Sequence, residues 1–274
     1  SPGSTWTYTY WILTSTAPVA NLVLTGPGGA EDGLEPALMM SGPGGYTNQR
    51  VAAGFTSKLN CAGAVPGDFD NDMDLDIYLI CRDGVTNTAN LLFENQGDGT
   101  FIEVPGAAGA QGPIGFNLGN GESATTADYD LDGFLDLYLT NGLNLYPEPP
   151  ASLGGSDVLL RNTGNANSWV QLELLGLTSN APAVGARVLA TAGGVTQMRE
   201  QNGGYHRWSQ DLQRLHFGLG TNSTVDIEVR WPNGVIETYT GLAANKIYRV
   251  TEGSGVEELV LFSGPPRTLS VDDV

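Results

Sequence analysis

The sequence predicts an all-β protein, and three observations predict it. Glycine accounts for 38 of the 274 residues, and many glycines sit in pairs or beside Pro, Asn or Asp. Such dipeptides punctuate short strands rather than helices. Alternating apolar and polar runs recur along the chain, the two-residue period of half-buried strands. No sustained 3.6-residue apolar period is present; only the stretch Glu35 to Met40 hints at one.

The length suits a full hydrophobic core in one or two domains. The charge is one-sided, with 30 acidic against 12 basic residues and a net charge of −18. A surface of that sign repels nucleic-acid phosphates and anionic lipid heads, so divalent cations are the expected partners and nucleic acid is not. No apolar run reaches the ~20 residues of a membrane helix. The chain opens Ser1-Pro2-Gly3 without Met, and reads as a processed, secreted form.

The first element is Ser4 to Thr16, where threonine alternates with Trp6, Tyr8 and Tyr10. It is a strong strand former with no adjacent turn. Two readings stay open: pairing inside its own domain, or insertion into a neighbouring subunit as a donor strand. A head-to-tail contact of the second kind builds filaments. Next comes NLVLTGPG, Asn21 to Gly28, a short strand ending in a turn.

Cys61 and Cys81 are the only cysteines, ten residues either side of Asn71. Symmetric positions on a hairpin face each other across the strands, so a disulfide is expected, and with it an oxidising compartment. The alternative is a pair of half-buried thiols.

The hairpin tip carries the chemistry. GDFDNDMDLDIYL, Gly67 to Leu79, recurs as ADYDLDGFLDLYL, Ala127 to Leu139. The carboxylates are Asp68, Asp70, Asp72 and Asp76, then Asp128, Asp130, Asp132 and Asp136. Four carboxylates so close repel unless a cation sits among them. Hard oxygen donors at this density favour calcium. A further ligand is expected from the backbone carbonyl of Asp74 or Phe134. An EF-hand is excluded, because its bidentate Glu at position twelve is here Leu79 or Leu139. Each loop is followed by an alternating strand, and then by NLLFENQG (Asn90 to Gly97) or DVLLRNTG (Asp157 to Gly164). The unit repeats with a period near sixty residues, a spacing that suggests propeller blades or stacked arrays.

These two loops resemble the calcium loops of FG-GAP/VCBS repeats, found in integrin-type β-propellers and many secreted bacterial proteins. Met73 departs from the pattern, which usually has Gly there; the second loop has Gly133. The stretches WVQLELLG (Trp169 to Gly176), AVGARV (Ala183 to Val188), QMRE (Gln197 to Glu200), LHFGLG (Leu215 to Gly220) and VDIEVRWPNG (Val225 to Gly234) resemble, in that order, the ASPIC/UnbV domain. That domain follows FG-GAP repeats in cartilage-acidic-protein-like proteins. The resemblance implies an extracellular, calcium-binding chain with one ion in each loop. It implies incomplete propeller-like blades followed by a β-sandwich-like domain. The expected organisation is an N-terminal strand over 1–20, repeats over 21–165, the ASPIC/UnbV-like domain over 166–252, and a strand and tail over 253–274. Too few blades precede residue 166 to close a ring, so sheet edges need covering.

No G-x-S-x-G, H-E-x-x-H or phosphate loop is present, and the carboxylates belong to the metal loops. A non-enzymatic role is therefore expected. The leading expectation is a calcium-stabilised, self-assembling subunit of a surface fibre, sheath or adhesive layer. The other is a carbohydrate- or matrix-binding module, with Tyr205 and Trp208 beside His206 as the aromatic patch. His216 is read as a structural turn residue, and Asn222-Ser223-Thr224 as a surface N-glycosylation sequon.

Overall fold

A computed structural model of the chain describes residues 11–13, 22–25, 37–42, 44–56, 61–81, 86–116, 120–142, 155–203 and 210–260. Among them the regular elements are strands almost throughout, as the glycine-punctuated alternation predicts. The first sheet is an antiparallel meander of β1 (Trp11–Leu13), β2 (Leu22–Thr25), β3 (Ala37–Gly42) and β4 (Gly45–Asn48). Of the hinted helical period at Glu35 to Met40, the described residues 37–40 lie on β3 and are corrected to strand. The stretch is too short to bury a helical face, whereas pairing with β2 and β4 satisfies its backbone. Trp11 pairs with Leu24, so the described part of the N-terminal strand has its partner within the chain.

The second sheet runs β5 (Cys61–Gly67), β6 (Asp76–Cys81), β8 (Leu91–Asn95) and β9 (Phe101–Val104). The two-residue strand β7 (Thr86–Asn87) pairs instead with β10 (Gly115–Phe116). The third sheet is β11 (Asn120–Ala127), β12 (Asp136–Gly142) and β13 (Val158–Leu160). Successive sheets stack. Strand β6 shows how: Ile77, Leu79 and Cys81 enter a core with Leu38, Phe55 and Phe93. Tyr78 and Ile80 point to the opposite face, into a core with Ala124, Leu137 and Leu139. All six residues of β6 are buried. Cys61 and Cys81 lie opposite each other in the β5–β6 ladder and form the disulfide.

From residue 168 onward the chain forms two further sheets. One is β17 (Arg214–Gly220), β14 (Ser168–Leu175), β20 (Lys246–Thr251) and β21 (Gly255–Glu258). The other is β16 (Val195–Glu200), β15 (Arg187–Ala192), β18 (Thr224–Arg230) and β19 (Ile236–Ala243). They sandwich a core that includes Val170, Leu172, Val188, Phe217, Ile227 and Val250. The two-residue period then decides what the outer face carries. On β14, Val170, Leu172 and Leu174 face the core, so Trp169 and Gln171 face away. On β17, Phe217 and Leu219 face the core, which turns His216 and Gly218 outward. His216 is thus a strand residue, not a turn residue. Of the strand expected after residue 253, the structure forms β21 (Gly255–Glu258), paired with β20.

The fold is all-β, propeller-like in its stacked sheets and sandwich-like at its C-terminal end. No sheet closes into a barrel among the described strands.

Candidate metal centre

The first acidic loop joins β5 to β6. Asn71 (φ 60°) and Met73 (φ 91°) take left-handed conformations that curl it tightly. The second loop joins β11 to β12 with Leu131 (φ 63°) and Gly133 (φ 93°) in the same places. Met73 therefore keeps the backbone course that glycine gives the second loop.

Each loop wraps its amides around its own carboxylates. In the first, Asp68 Oδ1 accepts the Asp72 N–H at 3.0 Å and Oδ2 accepts the Met73 N–H at 3.2 Å. Asp70 Oδ1 accepts the Asp72 N–H at 3.1 Å. Oxygens of Asp68, Asp70 and Asp72 lie within 4.8 Å of one another. In the second, Asp128 Oδ2 accepts the Gly133 N–H at 3.0 Å, and oxygens of Asp128, Asp130 and Asp136 form a cluster within 4.8 Å whose third member aligns with Asp76 rather than Asp72.

The other expected ligands stand differently. Asp74 and Asp76 are not in the first cluster, nor Asp132 in the second. Asp76 takes the Phe69 N–H at 3.1 Å and the Asn95 N–H at 3.0 Å, stitching its loop to β8. Asp136 does the same with Tyr129 and Asn162, at 3.1 and 2.7 Å. The Phe134 N–H donates to Asp132 Oδ1 at 3.1 Å.

Burial raises these carboxylates well above their ordinary range. Asp68 and Asp74 are pushed up to about 7, first by desolvation and then by neighbouring carboxylates. Asp76 reaches about 8 and Asp136 about 6, again by desolvation first. Asp128 Oδ1 and Asp74 Oδ1 are buried with no hydrogen-bond partner. Buried charges need pairing, and an orphaned carboxylate oxygen among other carboxylates needs a cation. An all-oxygen donor set without His or Cys suits a hard divalent ion such as calcium. The residues present therefore fit such an ion.

The loops differ in one residue that the sequence repeat contains but does not flag. Arg161 pairs with Asp130, and with Asp132 at 2.9 Å. Its equivalent in the first repeat is Glu94, whose charge pushes Asp70 and Asp74 further up. The second loop thus carries an exposed arginine in direct ion pairs with it, whereas the first has an extra anion at that position and feels the charge of Arg199 on Asp68 from the sandwich side.

Sequence reasoning also missed that both loops lie against the outer face of β14 and β17. Gln171 Nε2 donates to Asp128 Oδ2 at 2.6 Å. The Gly218 N–H donates to Asp68 Oδ2 at 3.1 Å. His216 Nε2 lies 2.7 Å from Asn71 Oδ1. Met73 packs against the sandwich core. A Cβ on Gly133 would fall 1.7 Å from Trp169 Nε1, so the Trp169 ring lies directly on the second loop. A polar Gln171 in the apolar run WVQLELLG was the available signal, but it does not say what the residue faces.

Asn222 lies in the turn before β18. Its Nδ2 donates to Leu219 O at 2.7 Å and sits 3.6 Å from Met73 Sδ. Tyr205, Trp208 and His206 lie outside the described residues, as do Ser1 to Tyr10 and 261–274. A further buried carboxylate, Glu252, is fully engaged by the N–H groups of Leu177, Thr178 and Ser179 at 2.7–2.8 Å and serves that loop.

Comparison with known proteins matches both halves. An FG-GAP-like repeat matches residues 68–139, and the ASPIC and UnbV family matches residues 176–257. Cartilage acidic protein 1 of Mus musculus is 29% identical over 203 residues, covering 72% of this chain and 29% of that protein. The Homo sapiens protein is 31% identical over 175 residues, covering 62% of this chain and 24% of its own length. The Xenopus tropicalis protein is 29% identical over 178 residues, 64% and 26% respectively. The aligned region spans less than a third of the length of these relatives. The chain thus joins a segment that matches an FG-GAP-like repeat and contains both acidic loops to one that matches the ASPIC and UnbV family, and it is similar to cartilage acidic protein 1.

Proposed function

We propose that this chain is an extracellular, non-enzymatic matrix-type protein that holds one calcium ion in each acidic loop. The observation that supports this reading is the pair of partly buried carboxylate clusters in the two repeated loops, with a buried orphaned oxygen on Asp128 in the second and on Asp74 beside the first. Asp68, Asp70 and Asp72 would hold the first ion, with Asp74 beside them; Asp128, Asp130 and Asp136 would hold the second. Bound calcium supplies positive charge that neutralises the crowded carboxylates and so stabilises the hairpins. The disulfide fits the same location, because such bridges persist in oxidising compartments. The relatives carry the words cartilage and acidic in their name, and this chain shares the acidity.

Self-assembly into a fibre or sheath is the finer part of the proposal. Among the described strands β16 and β19 are sheet edges, and open edges of this kind can pair with a second chain.

The test is thermal denaturation with calcium and after dialysis against chelator. Calcium raises the melting temperature of the natural chain. The double variant Asp70→Asn, Asp130→Asn loses that gain and melts like the natural chain when both are metal-free. Equal melting of the natural chain in the two conditions would overturn the calcium reading. Sedimentation of the calcium-loaded chain tests assembly separately, and a monomer at all concentrations would remove that part alone.

A further inference from the structure

Asn71 is fully buried, and it belongs to no predicted ligand set. Its side chain reaches two different partners. Nδ2 donates to Gly133 O in the second loop at 3.0 Å. Oδ1 is then the acceptor end, so His216 donates to it through Nε2 at 2.7 Å. Its backbone carbonyl accepts the Gly220 N–H at 2.8 Å. One residue therefore touches the first loop, the second loop and the C-terminal sandwich.

Its neighbours tighten the same joint. Asp70 O accepts Asn165 Nδ2 at 2.6 Å and Asn167 Nδ2 at 2.9 Å, both from the segment leading into β14. Asn162 Nδ2 donates to Phe69 O at 2.7 Å. On the other side, Gly133, whose carbonyl meets Asn71, gives its own N–H, on the preceding peptide group, to Asp128. A hydrogen-bonded path runs from Asp128 through Gly133 and Asn71 to His216. Asn71 also sits in the chain between Asp70 and Asp72, two residues of the first cluster.

We propose that Asn71 is the positioning residue that couples the two calcium loops to each other and to the sandwich, so that calcium binds cooperatively and fastens the two parts of the chain together. This rests on the calcium reading above. The physical argument is geometric. Repulsion among Asp68, Asp70 and Asp72 is relieved by an ion, which fixes the peptide units on either side of Asn71. Fixing them holds the Asn71 amide on the Gly133 carbonyl, which restricts the Gly133 backbone and so the adjoining peptide whose N–H meets Asp128 of the second cluster. The same movement holds His216 and Gly220. If the first loop relaxes, Gly133 O, His216 Nε2–H and the Gly220 N–H all lose a buried partner at once, a loss that packed interiors resist. Coupling of this kind is reciprocal, so an ion in either loop favours the other.

Calcium titration of the full chain, followed by calorimetry, reads the proposal. The natural chain binds with a Hill coefficient above 1, bounded at about 2 for two sites. Asn71→Ala still fills both loops but with a coefficient of about 1. Asp70→Asn, a milder change that keeps Asn71, disables the first loop and weakens the remaining one about tenfold, within the usual range of coupled sites. Two ions bound independently by the natural chain would overturn the coupling and leave the calcium reading standing. So would unchanged affinity of the second loop in Asp70→Asn. A natural chain that binds no calcium would remove both. If Asn71→Ala fails to fold, amide exchange at Gly218 and Gly220 of the natural chain decides: calcium slows it under the proposal, and unchanged exchange overturns it.

Discussion

The two loops invert their residues at one position, and the inversion has a steric cause. Gly133 leaves room for the Trp169 indole, while Met73 fills space beside Gly220 in the sandwich. Gly133→Ala meets both a positive φ and the indole. It should destabilise the chain by about 3 kcal/mol or more in chemical denaturation. Loss of less than about 1 kcal/mol would mean the indole does not rest there. The reverse change, Met73→Gly, removes backbone strain and a packed side chain together, so its net effect should be the smaller of the two.

Arg161 acts at the same scale. It occupies the carboxylates of Asp130 and Asp132 from an exposed position, where an ion pair is weak and screened by salt. An ion entering the second loop competes with it. Arg161→Gln should tighten calcium binding at that loop a few-fold, and Glu94→Arg should weaken it at the first. An unchanged second site in Arg161→Gln would show that the guanidinium does not compete. The aspartates were legible in the sequence because their spacing is itself the chemistry. Arg161 and Asn71 were not, since their roles depend on which strand comes to lie beside the loop.

At the scale of elements, the β5–β6 hairpin combines a covalent tie at one end and crowded carboxylates at the other. The Cys61–Cys81 bridge closes a loop with a sequence separation of 20 residues. Its reduction should cost about 3 kcal/mol, read as a shift in denaturation midpoint. That pairing was legible, because the repeat located the hairpin tip and symmetry did the rest. The acidic end of this hairpin, with Asp136 of the β11–β12 hairpin, gives a pH dependence in the metal-free chain. Asp68, Asp74, Asp76 and Asp136 have folded values near 6 to 8, against about 4 when unfolded. The folded state therefore holds more protons between those limits, and stability falls as pH rises from about 4 to about 8. The metal-free chain should melt lower at pH 8 than at about pH 5.5, and calcium should flatten the trend. A metal-free chain more stable at the higher pH would contradict the burial of these carboxylates. The helical hint at Glu35 to Met40 failed for a different reason: strand pairing from β2 and β4 overrode a pattern too short to define a period.

For the whole molecule, the sequence showed the two halves but not how they meet. The outward residues of β14 and β17 that hydrogen-bond the loops are a glutamine, a histidine and a glycine, each ordinary in its own strand. Only when Phe217 and Val170 commit to the sandwich core do Gln171, His216 and Gly218 turn toward the loops. The acidic loops then become the joint between the repeats and the sandwich rather than free hairpin tips. Calcium is expected to act on that joint, and so on the stability of the entire chain. The most direct test is equilibrium dialysis of the purified chain against calcium, with bound metal counted per chain. The account predicts saturation at one ion per loop, lost from both loops in Asp70→Asn, Asp130→Asn. No saturable binding, or binding that survives that double change, would contradict it.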